Sequence, residues 1–261
     1  MWYIRLFMNC RNFVVSAAAG AAAPAAAAPP RAVFELRYVR MRNGNQGQRT
    51  SDFYSRWYLP ALQRLGVGPC GFFNAVIGEQ SPFLLSLVSY PSLAAMETAM
   101  EKMASDREFQ KGFDEYNSMS EPAYIRMESS LLRAFRTMPG IEVPPAGSGS
   151  HIFELRTYES MNVKANQRKV RMFDDDGEID IFRRCGMLPV FFGETFVGRN
   201  LPNLTYMLAY PDMAAREKAW RAFGAHPDWQ KLRARPELAD ALLVSNISNS
   251  ILRPLPFSPI Q

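Results

Sequence analysis

The sequence predicts an α+β fold in which two tandem ferredoxin-like units, each β-α-β-β-α-β, pair into one barrel within a single chain. Three observations predict it: an internal repeat, a fixed order of hydrophobic periods inside each copy, and a Pro/Gly/Ser-rich joint between the copies. Phe34-Glu35-Leu36-Arg37 returns as Phe153-Glu154-Leu155-Arg156, an offset of 119. At an offset of 120, Gly66 meets Gly186, Pro69 meets Pro189, Gly78 meets Gly198, Pro82 meets Pro202, and Tyr90-Pro91 meets Tyr210-Pro211. A one-residue insertion in the first loop accounts for both offsets. The joint is 139–150, where Pro144-Pro145-Ala146-Gly147-Ser148-Gly149-Ser150 has the composition of a flexible linker. It divides the chain into a leader (1–30), a first unit (31–138) and a second unit (151–261).

Each unit opens with alternating apolar and charged residues, 33–39 and 152–158, the pattern of a half-buried strand. Tyr54, Tyr58, Leu62 and Leu65 then fall on one helical face, and Gly66 and Gly186 stand where such a helix stops. Two strands follow in each copy, 70–78 and 83–90, then 190–198 and 203–210, joined by short loops holding Pro82 or Pro202. A second helix carries Leu93, Met96, Met100 and Met103 at core spacing, with Met213, Trp220 and Phe223 answering Leu93, Met100 and Met103. Those methionines read as core packing and not as a metal or cofactor box. A closing strand, 124–135 or 243–253, completes each unit. One such sheet has a bare face opposite its helices, and two copies in one chain can bury those faces together.

Composition excludes several classes of function. The charge of +5 includes Arg5 and Arg11 of the leader, leaving +3, with no clustered Lys/Arg stripe for a nucleic-acid backbone. Cys10, Cys70 and Cys185 form neither a CxxC pair nor a disulfide framework. The only histidines, His151 and His226, form no ligand pair at metal spacing, so no metal and no cofactor is expected. No serine sits in a nucleophile elbow. Asp174-Asp175-Asp176-Gly177-Glu178 lacks the alternating ligands of a calcium loop and reads as a solvated face or a helix break. At the N-terminus, Asn9-Cys10-Arg11-Asn12-Phe13, Val14-Val15 and an alanine-rich run have the layout of an export signal, too short to span a membrane. It is similar to a twin-arginine leader with Cys10 in place of the first arginine. Export to the periplasm or outside the cell is expected if the leader works, and a cytoplasmic location otherwise.

The stretches 153–158 (Phe-Glu-Leu-Arg-Thr-Tyr), 210–216 (Tyr-Pro-Asp-Met-Ala-Ala-Arg) and 228–231 (Asp-Trp-Gln-Lys) resemble NIPSNAP domains over most of 152–253 and, more weakly, over 33–135. The resemblance implies the dimeric α/β barrel fold. It implies no reaction, because that superfamily hosts many chemistries. Many members carry a histidine and a tryptophan on the third strand; here Tyr206 and Leu208, and Ser86 and Val88 in the first unit, stand at those places, so chemistry resting on that histidine is not carried over.

Alternation also proposes a site. If Phe34, Leu36, Phe153 and Leu155 pack on helices, then Glu35, Arg37, Glu154 and Arg156 line the barrel, together with Glu194, Tyr206, Asn246, Ser248, Asn74, Ser86, Arg126 and Glu128. The expected pocket binds a small anionic or oxygenated organic molecule, held by Arg156, Glu154, Arg37, Glu35, Arg126 and Asn246, with Tyr206 or Glu194 exchanging a proton. The competing reading pairs the same acids and arginines as structural ion pairs, which makes the chain a non-catalytic structural or interaction module. Duplication removes the need for a homo-oligomer without forbidding one.

Overall fold

The protein, here a computed structural model, is described over residues 30–118, 121–145 and 149–261; the leader, with Cys10 and its arginines, lies outside them. In the first unit the strands are β1 (Val33–Arg40), β2 (Cys70–Ile77), β3 (Phe83–Tyr90) and β4 (Arg126–Ala134). Their counterparts are β5 (Ile152–Glu159), β6 (Leu188–Val197), β7 (Asn203–Tyr210) and β8 (Asn246–Pro254). All pair antiparallel into a closed barrel in the order β1-β3-β2-β8-β5-β7-β6-β4. Within each unit the order is the ferredoxin-like one. The two seams between units are β2 with β8 and β4 with β6, and they leave the barrel without a free edge.

Helices cover the outside. In the first unit α1 (Gln46–Phe53) passes through a π-turn (Tyr54–Tyr58) into α2 (Leu59–Arg64), and α3 (Leu93–Ser105) is followed by α4 (Arg107–Asn117). In the second, α5 (Val163–Asp174) and α6 (Glu178–Arg184) replace the first pair, and α7 (Met213–Ala225), α8 (Pro227–Arg233) and the short α9 (Asp240–Leu243) complete the layer. The repeated Tyr-Pro step works as a strand-to-helix switch. Each central strand ends at its tyrosine, proline cannot extend the ladder, and the next residue caps the helix: Ser92 accepts from the Ala95 N–H and Asp212 from the Ala215 N–H. The sequence Asp174–Glu178 is indeed a helix break. Asp174 is buried and accepts the backbone N–H groups of Arg136 and Thr137, so it fastens the end of the first unit to the second.

The core has three compartments. One lies between sheet and helices in each unit, and the third is the barrel interior, filled by Phe34, Leu36, Phe73, Leu85, Phe153, Leu155, Phe191 and Met207 with their neighbours. Phe34 meets Phe191 and Phe73 meets Phe153 edge-on or tilted across it, with ring centroids 5.4 and 4.8 Å apart. One end of the barrel is stopped by the C-terminal segment, where Ile260 is fully buried among these residues and Ser258 accepts the Phe72 N–H. At the same end Ile141 of the joint packs against the lumen cluster, and the Glu142 N–H donates to the Val190 carbonyl. Among the described residues no helix is long and apolar enough to cross a membrane, and no group of three or more metal-ligating side chains gathers. Cys70 and Cys185 are free thiols.

Candidate functional site

The structure inverts the faces expected from alternation. Phe34, Leu36, Phe153 and Leu155 point into the barrel, whereas Glu35, Arg37, Glu154 and Arg156 point outward beneath the helices. Both faces of this sheet are buried, and period-two alternation separates two faces without saying which is inside. The enclosed lumen receives side chains from both units and is best filled by hydrocarbon. The helix side has donors on a second layer, so it can hold charge. Tyr206, Glu194 and Ser86 are likewise on the helix side, Glu194 accepting from Asn166 of α5. Asn74 borders a surface groove with Gly47 and Gln48. Four predicted residues, Arg126, Glu128, Asn246 and Ser248, do occupy the lumen face, at its open end.

In the second unit the motif is closed. Glu154 has no solvent exposure and accepts six bonds: from Arg156 Nη1 at 3.0 Å, Arg216 Nε and Nη2 at 2.9 and 2.6 Å, Trp220 Nε1 at 2.8 Å, Asn249 Nδ2 at 2.7 Å and the Tyr210 hydroxyl at 3.3 Å. Burial opposes its ionisation. The bonds from Arg216 and Trp220 and the charges of Arg156 and Arg216 outweigh it and hold the carboxyl below its ordinary value. Tyr206 is also fully buried, stacked on Phe192 with centroids 4.7 Å apart, and donates to the Tyr158 hydroxyl at 3.2 Å. Burial pushes its phenol well above the ordinary value, so it stays protonated at neutral pH.

Next to this cluster lies a second buried polar group; it includes Glu178, which the sequence suggested as part of a solvated face or helix break and which the structure buries. Asn166 and Lys169 of α5 and Glu178 of α6 are all buried, and Lys169 reaches Asp240 at 3.2 Å. Burial lifts the Glu178 carboxyl to about 7 against the charge of Lys169. Its Oε2, with Asn166 Oδ1 and Arg156 Nε, has no partner among the described residues.

In the first unit the same motif is open. Arg37 Nε and Nη2 donate to Glu35 Oε1 at 3.1 and 2.5 Å, and Arg37 Nε also reaches Ser129. The clamps are missing, because Met96 and Met100 stand where the second unit has Arg216 and Trp220. Met100, expected in the core, is 52% exposed. A cleft of about 230 Å³ results, with Glu35, Arg37, Tyr58 and Tyr90 as its floor and Met100, Met103, Phe109 and Phe113 as its walls. The π-turn brings Tyr54 and Tyr58 over Arg37, a local widening of the helix often found at functional positions. Burial pushes the phenols of Tyr54, Tyr58 and Tyr90 upward, so they remain donors at neutral pH. The signal was in the repeat: an arginine and a tryptophan on one helix, aligned with two methionines on the other, above an acid common to both.

A smaller polar cavity, about 120 Å³, occupies the open mouth of the barrel, lined by residues from both units, among them Arg40, Glu128, Arg199, Asn203 and Ser248.

The NIPSNAP family model matches residues 34–139 and again 153–259. No curated protein matches the sequence. Among solved structures, a candidate monooxygenase from Lactobacillus acidophilus NCFM superposes with a TM-score of 0.56 at 8% identity, over 85% of this chain and 93% of its own. An anthrone oxidase-like protein does so with a TM-score of 0.52 at 8% identity, over 87% and 93%. A NIPSNAP family protein of unknown function from Agrobacterium tumefaciens C58 is 23% identical over 44% of this chain and 97% of its own, with a TM-score of 0.39. At these identities the first two likenesses are likenesses of fold, a two-unit barrel.

Proposed function

This chain belongs to the NIPSNAP family, and on that premise we propose that it binds a small, mostly apolar molecule bearing one hydroxyl or carbonyl group in the sheet-helix cleft of its first unit. The observation that carries the reading is the lid: an acid-arginine pair repeated in both units is sealed by Arg216 and Trp220 in one and left open beneath Met100 in the other, where Met96 replaces the arginine. An apolar-walled pocket with a few convergent polar groups at its floor is the usual form of a small-molecule site. Methionine walls suit a ligand of irregular outline, since the thioether adapts its shape. On the floor, the Glu35 carboxylate accepts from a ligand hydroxyl, and Arg37 or a tyrosine hydroxyl donates to a carbonyl. Glu35 is also the group placed to take a proton from an acidic ligand hydroxyl. The fold likeness to a candidate monooxygenase and an oxidase-like protein agrees with an oxygenated aromatic ligand.

Titration with 1-naphthol, followed by fluorescence, tests it. Saturable binding is expected in the wild type and its loss in Met96→Arg/Met100→Trp, which rebuilds the second unit's lid without touching the floor. Equal binding in that variant would remove the cleft from consideration. A second reading, a purely structural chain, is favoured by the closed Glu154 cluster; it predicts no saturable binding in either protein. We also read the protein as exported, on the leader-like residues 9–30 alone; the N-terminus of the mature protein, sequenced after fractionation, decides between that and the cytoplasmic alternative.

A further inference from the structure

We propose that the open mouth of the barrel is a second binding site, separate from the cleft, for a small hydroxylated oxyanion such as a three-carbon hydroxy acid or phosphate. The mouth lies at the end opposite the Ile260 stopper, above the apolar lumen. At its rim three guanidinium groups converge on one carboxylate: Arg126 Nε donates to Glu128 Oε1 at 2.5 Å, Arg199 Nη1 to Glu128 Oε2 at 2.6 Å, and Arg40 Nε and Nη2 to the same oxygen at 3.4 and 3.3 Å. Arg40 is almost wholly buried and fixed by the carbonyls of Glu79 and Gln80, with its plane over the rings of Tyr38 and Phe83. Two further acids face this end. Glu79 is exposed, and Glu159 is held by the side-chain amides of Asn200 and Asn246 at 3.1 and 2.9 Å.

Below the rim the lining changes from charge to hydroxyl. Thr157 and Thr205 bond each other at 2.9 Å, and Thr195 donates to Asn203 at 2.6 Å. The hydroxyls of Ser130, Ser248 and Ser250 border the cavity without a side-chain hydrogen bond among the described residues. Space for Ser130 and Ser250 exists because Gly198 and Gly78 lie against them; a Cβ on Gly198, at φ +151°, would collide with Ser130. The unengaged polar groups that face this space are the remaining N–H groups of Arg199, the exposed Glu79 carboxylate and three serine hydroxyls, each able to donate or accept, while the Glu128 carboxylate is already engaged. A ligand with an anionic group for Arg199 and hydroxyls for the serine and threonine oxygens matches this. The volume, about 120 Å³, equals roughly four molecules of liquid water, which sets the size class.

The units contribute different chemistry to this end. Arg40, Arg126 and Glu128 of the first align with Glu159, Asn246 and Ser248 of the second, and Tyr38 aligns with Thr157. The mouth therefore has a charged half and a hydroxyl half, and a ligand has one orientation in it, acid group toward Arg199 and Arg40 and hydroxyls toward β5 and β8.

Calorimetric titration of the whole chain with inorganic phosphate, D-glycerate and glycerol tests the site, with circular dichroism melts as the control for folding. Phosphate or glycerate is expected to bind, glycerol at least tenfold more weakly, and binding to weaken with salt. Arg199→Gln is expected to lower affinity tenfold or more and Ser248→Leu, which fills the cavity, to abolish it. Met96→Arg/Met100→Trp is expected to leave it unchanged. Tighter binding of phosphate than of glycerate assigns the oxyanion to a phosphate source, the reverse to a carboxylate. No binding of either anion, equal binding of glycerol, or affinities indifferent to both mouth variants would overturn the proposal.

Discussion

Glu154 and Glu35 hold the same place on the first strand of their units, yet one is saturated and the other is half served. Six donors from β5, β7, β8 and α7 close on Glu154, whereas Glu35 has Arg37 alone among the described residues and a cleft above it. The difference teaches that duplication supplied a buried acid twice and that the helix above it determines what the acid does. With arginine and tryptophan overhead it is a structural knot. With Met100 overhead in place of the tryptophan it is the floor of a cleft.

The largest expected effect breaks the knot. Glu154→Gln leaves the half-buried Arg156 and Arg216 without their counter-charge and should cost about 3–5 kcal/mol, read from urea unfolding; Glu35→Gln should cost less than half as much. Equal losses would dissolve the distinction between the units. The sign with pH follows from the lowered carboxyl of Glu154: its stabilisation is present above the unfolded-state value and is lost as pH falls through the folded one. Acid should therefore loosen the second unit, seen as early amide exchange on β5 and α7.

Glu178 behaves in the opposite sense and comes next. Its carboxyl is raised to about 7, so the folded state holds a proton that the unfolded state releases, and stability falls as pH rises from the ordinary carboxyl value to about 7. Glu178→Gln should remove that slope and stabilise the protein at pH 8 by on the order of 3 kcal/mol. An unchanged pH profile would mean that Glu178 is solvated in solution. Smaller again, transplanting the lid as Met96→Arg/Met100→Trp should raise stability by about 1.5–3 kcal/mol, as for a hydrogen bond to a charged group, while closing the cleft. A destabilised double variant would show that the backbone of α3, and not its side chains, sets the opening.

The architecture was legible because turn residues repeat where folding needs them. Gly66 and Gly186 both adopt positive φ after their helices, and Tyr-Pro ends both central strands. The candidate site was legible by parity only. Glu35 and Glu154 were picked out correctly as buried acids, but a strand buried on both faces carries no mark for inside and outside, so the lumen was assigned to the charged set. α4 was not foreseen, because the expected pattern of two helices per unit was already met by the stretches before it. Met100 shows a further limit, since helical spacing places it on the core stripe while its thioether, standing where the second unit has an indole, is left at a cleft rim.

The two seams have a consequence for how the protein is made. β2 must pair with β8 and β4 with β6, contacts that join residue 73 to 254 and residue 134 to 193. A ribosome that has released only the first unit presents two unpaired strand edges and an uncovered apolar face, and must synthesise about 60 further residues before β6 can seal one edge and about 115 before β8 can seal the other, at roughly 5–20 per second. Through those seconds a second nascent copy offers the same edges, so the fused barrel depends on its own second half arriving first.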